Sequence, residues 1–242
     1  MSKSLSLRLI AGMLAFALIG AACVGADDGE QSAGNASEVQ QEQDSAMESP
    51  EAEATTVESG AAILQRDLTS LLDSHVFLAG IAVEQAALTK DPKSPQFKAA
   101  AAALDRNSQD LAAAIESVYG PEAGDAFLKQ WRAHIGFFVD YTIGGLTNDD
   151  KMQQQAARDL DRYRKDFAAF VEEATGGELP ADATAAALQE HVKSLVAAID
   201  AVLAGDGKAF DLLYTAAHEH MPMTATALSG AIAAQMPEQF GG

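Results

Sequence analysis

The chain has 242 residues, 48% of them hydrophobic, and a formal net charge of −19 at neutral pH. This acidity argues against binding to nucleic acid or to anionic lipid head groups, because both are negatively charged. A single cysteine, Cys23, excludes a disulfide within the chain. The composition is rich in alanine and contains only seven prolines. It favours helices, since alanine enters a helix at the lowest cost.

The first 22 residues have the pattern of a bacterial export signal. Lys3 and Arg8 form a basic start, and an apolar run over residues 9–22 follows that is too short to span a bilayer. The run ends in LIGAAC (18–23), which resembles a bacterial lipobox, the sequence whose cysteine becomes the lipidated N-terminus. An ordinary signal peptide cut after small residues is the alternative. Both interpretations predict an extracytoplasmic protein of the bacterial cell envelope, and the lipobox predicts membrane anchoring through lipid on Cys23.

Residues 23–59 form a second region. From Val24 to Ser59 there is no lysine or arginine, ten residues are acidic, and large apolar residues are scarce. Such a segment cannot bury enough apolar surface to offset the entropy lost on ordering. We therefore expect a disordered acidic tether here, and we expect residues 60–242 to form the folded domain.

Apolar residues recur at helical spacing throughout the folded region, and no alternating pattern predicts a strand. Ser94 followed by Pro95 is typical of a helix N-cap with proline in the first turn. Pro222 lies inside the last helical pattern, where its ring should kink the helix. The first five of the six predicted helices end near Asp91, Gly120, Gly144, Gly176 and Gly205. The fourth is predicted to be capped at Thr147 or Asn148, and the sixth to start near Lys208.

These six helices are predicted to be three copies of one helical hairpin. His75, His134 and His191 begin corresponding apolar stripes, spaced by 59 and 57 residues. A single amphipathic hairpin cannot bury its apolar face, so the copies must pack together. The sequence therefore predicts an all-α fold, an antiparallel helical bundle or array of about six helices.

Four histidines fall at the centre of apolar stripes, which predicts that their rings face the core: His75, His134, His191 and His220. A buried imidazole that loses a hydrogen bond costs about 1–3 kcal/mol, so each ring needs a partner. One interpretation is ligation of a metal ion by neutral imidazole. The other is a hydrogen bond to the paired helix, with candidates Asn107, Ser108 and Asp110 in the first hairpin and Tyr163 and Asp166 in the second.

The segment HEHMPM (218–223) holds the densest group of metal donors in the chain. On a regular helix His218 and Met221 are neighbours, and so are His220 and Met223. Imidazole with thioether suits copper, Cu(I) in particular. We rank His220 and Met221 first as ligands, the other core histidines second, and His218 and Met223 as accessory. The alternative is that both methionines fill core space beside the kink.

No enzyme motif accompanies these histidines. His218 and His220 are too close in sequence for the zinc-protease motif His-Glu-x-x-His, and the chain has no nucleophile elbow or phosphate-binding glycine loop. A ferritin-like di-iron site would need Glu-x-x-His on two helices, and that pattern is absent. We therefore expect a binding protein rather than an enzyme.

Parts of the folded region are similar to a set of secreted bacterial helical-repeat proteins. The segments that carry the resemblance are WRAHIGFFVDY (131–141), LQEHV (188–192), the pair His220-Met221 and QMPEQF (235–240). Those proteins are lipoproteins of uncharacterised function, often labelled copper-amine-oxidase-like. The resemblance implies an extracytoplasmic protein with a copper association. It does not imply the oxidase reaction, because nothing in this sequence resembles the oxidase's catalytic domain.

The sequence thus predicts a lipid-anchored extracytoplasmic protein that binds copper or another transition metal through core histidines and methionines. The alternative is a structural or protein-interaction module of the envelope whose histidines only form hydrogen bonds. Geometry discriminates between the two, because a metal requires two or more imidazole nitrogens about 2 Å from one point.

Overall fold

The computed structural model describes residues 59–240, which form a helical array with no β-strand in that range. The predicted all-α fold is therefore confirmed. The predicted export signal, Cys23 and the predicted tether up to residue 58 lie outside the described residues. The helices are α1 (Gly60–Thr89), α2 (Pro95–Tyr119), α3 (Pro121–Thr147), α4 (Asp150–Ala174), α5 (Ala181–Ala204), α6 (Lys208–Thr215), α7 (Met221–Gln235) and α8 (Pro237–Phe240), with a π-helical turn (Ala216–His220) between α6 and α7.

Helices α2 and α4 both begin with a side-chain cap at or next to the predicted position. Ser94 caps α2 as expected, since its hydroxyl accepts a hydrogen bond from the Phe97 amide at 3.1 Å. The cap of α4 is Asp149, one residue beyond the two predicted, and its carboxylate accepts from the amides of Lys151 and Met152 at 3.1 Å each. Asn148 instead ends α3 in the left-handed conformation, at a φ of 56°.

Helix α1 is the centre of the array. It packs against α2 and α7 and also contacts α3, α5 and α6. Its core face includes Leu68 and Val76, which are 1% and 0% exposed. By length and composition α1 could also cross a membrane, and it is the one helix in the described range for which this holds. In this fold its buried face forms the middle of the core.

The last hairpin departs from the other two. Helices α1 and α2 pack as one pair and α3 and α4 as another, but α5 pairs with α6, and α7 packs on α1. This change of packing partner occurs at Pro222, which lacks an amide hydrogen and crowds the preceding turn. The chain accommodates this with the π-helical turn just before it. Helix α7 is then held on α1 by the Gln65 side-chain amide, which donates to the Thr226 hydroxyl at 2.8 Å.

Two glycines of α3 should respond in opposite ways to alanine. A Cβ on buried Gly144 would lie 2.9 Å from the Gln153 amide nitrogen and 3.1 Å from the Asp149 carbonyl oxygen. Because both are backbone atoms, we expect Gly144→Ala to lower the free energy of unfolding by about 1–3 kcal/mol. A Cβ on exposed Gly136 meets nothing within 4 Å. We expect Gly136→Ala to raise it by roughly 0.5–1 kcal/mol. Urea unfolding measures both, and equal effects would contradict the close approach at Gly144.

Candidate functional site

Three of the predicted histidines are buried in the core, each on a different long helix. His75 on α1, His134 on α3 and His191 on α5 are 2%, 3% and 9% exposed. The ring centroids of His75 and His134 are 5.4 Å apart. His191 lies close enough that its positive charge would disfavour protonation of both. His220, at the end of the π-helical turn, is half-buried and exerts the same effect on His191.

Aromatic rings surround the His75–His134 pair. The Trp131 ring lies 4.9 Å from His75 and 4.5 Å from His134, between centroids. Tyr163 of α4 stacks on His134 at 5.0 Å. Trp131 stands three residues before His134 and therefore shares its helix face. These rings shield the two imidazoles from water on several sides.

The Nδ1 atoms of all four core histidines are buried and make no hydrogen bond of good geometry in the described structure. Two of the rings have a polar group nearby, the Asn107 side chain beside His75 and the Trp131 backbone beside His134. Four of the five partners suggested by the sequence are engaged elsewhere or face solvent. The Asn107 amide donates to the Leu71 carbonyl at 3.0 Å, and the Ser108 hydroxyl donates to the Leu104 carbonyl at 2.9 Å. The hydroxyl of Tyr163 also has no partner. Asp110 and Asp166 are exposed.

Burial keeps the three deepest imidazoles uncharged. It lowers the pKa of His75 from 6.5 to about 3, an effect increased by His191 and partly offset by the Asn107 side chain. It lowers the pKa of His191 from 6.5 to about 4, with a further contribution from His220. Burial, followed by the charges of His75 and His191, holds the pKa of His134 well below 6.5. At neutral pH these rings therefore carry free nitrogen lone pairs, the form that binds metals.

The donor-rich segment 218–223 is divided between the interior and the surface. Met221 is 4% exposed and belongs to the hydrophobic core. Met223 is 62% exposed. His218 lies on the surface, with its Nδ1 3.2 Å from the Asp73 carboxylate and its ring against Phe77 and Tyr214. The structure thus directs Met221 inward and places His218 and Met223 away from the buried histidines.

The buried histidines have only part of the arrangement that a metal ion requires. Within residues 59–240, no group of three or more His, Cys, Asp or Glu side chains is arranged to hold one. The His75–His134 pair nevertheless has a suitable spacing. Two imidazoles bound to one ion at trigonal or tetrahedral angles, with metal–nitrogen distances of about 2 Å, have centroids about 5 Å apart. The observed 5.4 Å between the ring centroids is compatible with two ligands on one ion.

Comparison with protein-family models, curated proteins and solved structures found no match to this chain. The resemblance to secreted helical-repeat lipoproteins therefore remains an expectation from the sequence. The geometry of the buried histidines is the evidence that bears on function.

The buried histidines should make the fold sensitive to acid. Their folded pKa values lie below the 6.5 of an exposed histidine, so the unfolded chain takes up protons first as the pH falls. The contribution of the neutral histidines to the free energy of unfolding is therefore fully present above about pH 6.5. It declines as the pH falls towards the folded pKa values of about 3 to 4. When the pH is lowered from about 7.5 to about 5.5, each such histidine should lower the free energy of unfolding by about 1.4 kcal/mol.

Urea unfolding at the two pH values measures this loss. We expect the variant His191→Gln to lose about 1.4 kcal/mol less than the wild type over the interval. The surface variant Met223→Leu removes no titratable group and should keep the wild-type loss. Equal losses in the wild type and His191→Gln would contradict a neutral buried His191.

Proposed function

We propose that this protein is a non-enzymatic binding protein for a transition-metal ion, with Cu(I) preferred, held in the core between α1 and α3. His75 and His134 are the first two ligands, and His191 supplies the third. The single observation that carries the proposal is the set of buried imidazole Nδ1 atoms without partners. Buried polar atoms in native proteins are nearly always paired, and an ion is one of the few partners that could satisfy several imidazoles together.

The ligand order differs from the one that the sequence favours. His220 and Met221 rank first on sequence spacing, but the pair with a measured spacing suited to one ion is His75–His134. His220 and Met221 still point into the core and are the second set of donors. His218 and Met223 take no part in the proposed site.

The charge of the core favours a monovalent ion. No Asp or Glu side chain is buried among the described residues, so the core offers an ion no compensating negative charge. The cost of moving an ion out of water grows with the square of its charge, and it reaches many kcal/mol in a low-dielectric interior. Cu(I) therefore pays far less than Zn²⁺ or Cu²⁺.

Imidazole ligation also agrees with the low coordination number of Cu(I). This ion is satisfied by two or three soft or borderline ligands, and imidazole and thioether belong to that class. The spacing of His75 and His134 fits two ligands without movement of either helix. His191 is assigned as the third ligand because it lies close enough to influence the protonation of both rings.

The proposed protein is exported and anchored to a membrane. A basic start, a short apolar run and the lipobox-like LIGAAC (18–23) support export and lipid attachment at Cys23. The acidic stretch that follows supports a solvated tether between the lipid and the helical array. We therefore place the metal site outside the cytoplasm, on a protein anchored to a membrane of the bacterial envelope.

One observation favours the alternative of an envelope interaction module. Large apolar side chains are exposed on neighbouring helices. Phe77 and Ile81 of α1 are 36% and 46% exposed, and Phe210 and Tyr214 of α6 are 68% and 57% exposed. An apolar surface of this kind commonly marks a contact with another protein. Under this alternative the buried histidines contribute only to packing.

Copper titration distinguishes the two functions. We expect the purified protein to take one Cu(I) per chain from a competing chelator, followed by the chelator's colour. His75→Gln and His134→Gln should each weaken uptake by at least about tenfold, since removing even a supporting group around a metal has an effect of that size. The surface double variant His218→Gln, Met223→Leu is the matched control and should bind as the wild type does.

The variant His220→Ala, Met221→Ala tests the ligand order. It should weaken uptake less than His75→Gln if the α1–α3 pair is the centre of the site. Circular dichroism verifies that each variant remains helical. Failure of the wild type to compete for Cu(I), or unchanged uptake by both His75→Gln and His134→Gln, would refute the proposed site and favour the interaction module.

Lipid anchoring is tested at Cys23 in a bacterial host. The wild type should incorporate labelled palmitate and sediment with the membrane fraction, and Cys23→Ser should do neither, because its hydroxyl cannot form the thioether to lipid. Copper uptake by the purified Cys23→Ser protein should match that of the wild type. Palmitate labelling of Cys23→Ser, or none in the wild type, would contradict the anchor.

A further inference from the structure

A partly enclosed pocket of about 50 Å³ lies beside the His75–His134 pair. Helices α1, α2, α3, α5 and α6 all contribute to it. Its wall includes Gly80, Val83, Ile135, Ala198 and Leu213, together with both histidines. The small residues leave the space, and Leu213 of α6 closes in on Gly80, where a Cβ would come within 2.7 Å of its methyl carbon.

The wall of this pocket is almost entirely apolar. Thr142 is its one hydroxyl-bearing residue, and that hydroxyl already donates to the Phe138 carbonyl at 2.8 Å. The two imidazoles are uncharged at neutral pH because burial lowers the pKa of each. The unpaired Nδ1 atoms of His75 and His134 are buried and present almost no surface to the pocket. A buried water needs two to four polar partners, which a wall with so little polar surface does not offer, and apolar cavities stay dry. Charged and strongly polar ligands are excluded for the same reason.

The volume restricts the ligand further. Sites for drug-sized molecules and organic cofactors enclose about 300–1,000 Å³, far more than this pocket. An apolar cavity of about 150 Å³ accepts benzene or xenon, so about one third of that volume suits a molecule of two or three heavy atoms. Dioxygen and other small neutral gases meet both the size and the polarity of the wall.

We propose that this pocket binds a small, neutral, apolar molecule of the size of dioxygen, in contact with the rings of His75 and His134. The pocket, its wall and its volume follow from the packing of the helices, so the site does not depend on the proposed metal function. Because the pocket is partly enclosed rather than sealed, such a molecule can exchange without unfolding of the array.

Xenon is the first probe, since it is apolar, of suitable size and chemically inert. In carbon–proton methyl spectra of the full, chelator-treated protein, the methyls of Val83, Ile135 and Leu195 should shift saturably as xenon pressure rises. Dissolved dioxygen, which is paramagnetic, should accelerate proton relaxation at the same methyls. Non-saturating shifts, or shifts spread evenly over the chain, would overturn the proposal.

Three variants make the test specific. Ala198→Leu fills the pocket and should abolish the saturable shifts, whereas Ala168→Leu, at an equally buried position of α4 outside the pocket, should retain them. Leu195→Ala enlarges the pocket and should bind xenon severalfold more tightly, which decides the matter even where Ala198→Leu does not fold. Saturable binding that neither Ala198→Leu nor Leu195→Ala alters would place xenon elsewhere and overturn the assignment.

Discussion

The burial of uncharged imidazoles at the centre of a helical array is the constraint on which the rest of the structure depends. An unpaired buried polar group costs about 1–3 kcal/mol, and four Nδ1 atoms are in this state. The apolar packing around them must offset that cost, and α1 supplies much of it through residues such as Leu68 and Val76. The same packing excludes water and thereby keeps the rings neutral.

The π-helical turn before Pro222 divides the donor-rich segment between core and surface. On a regular helix, His218 and Met221 would share a face. An added residue in one turn shifts the following side chains by about 100°, because an α-helix advances one turn per 3.6 residues. Met221 consequently points into the core, while His218 contacts Asp73 at the surface. The same turn redirects α7 from its hairpin partner onto α1, which closes the array.

Sequence periodicity predicts which face of a helix is buried but not which buried faces meet. It therefore identified the helices, the Ser94 cap and the inward orientation of His75, His134 and His191. It could not predict that His75 and His134, from different hairpins, would lie 5.4 Å apart, since that contact depends on how the hairpins pack. Nor could it choose Asp149 over its polar neighbours as a cap, because all three residue types can fill that role.

Exclusion of water is the common physical cause behind both proposed sites. A dry core without buried carboxylates penalises protons and divalent ions on the histidines, and a monovalent ion pays the smallest penalty among metals. The same dryness extends into the adjoining apolar pocket, where a neutral gas loses nothing on leaving water while a water molecule would lose its hydrogen bonds. His75 and His134 form the wall between the two regions. The packing around the unpaired nitrogens of these two rings therefore affects the acid stability of the fold. It also restricts which ligands the two proposed sites would accept.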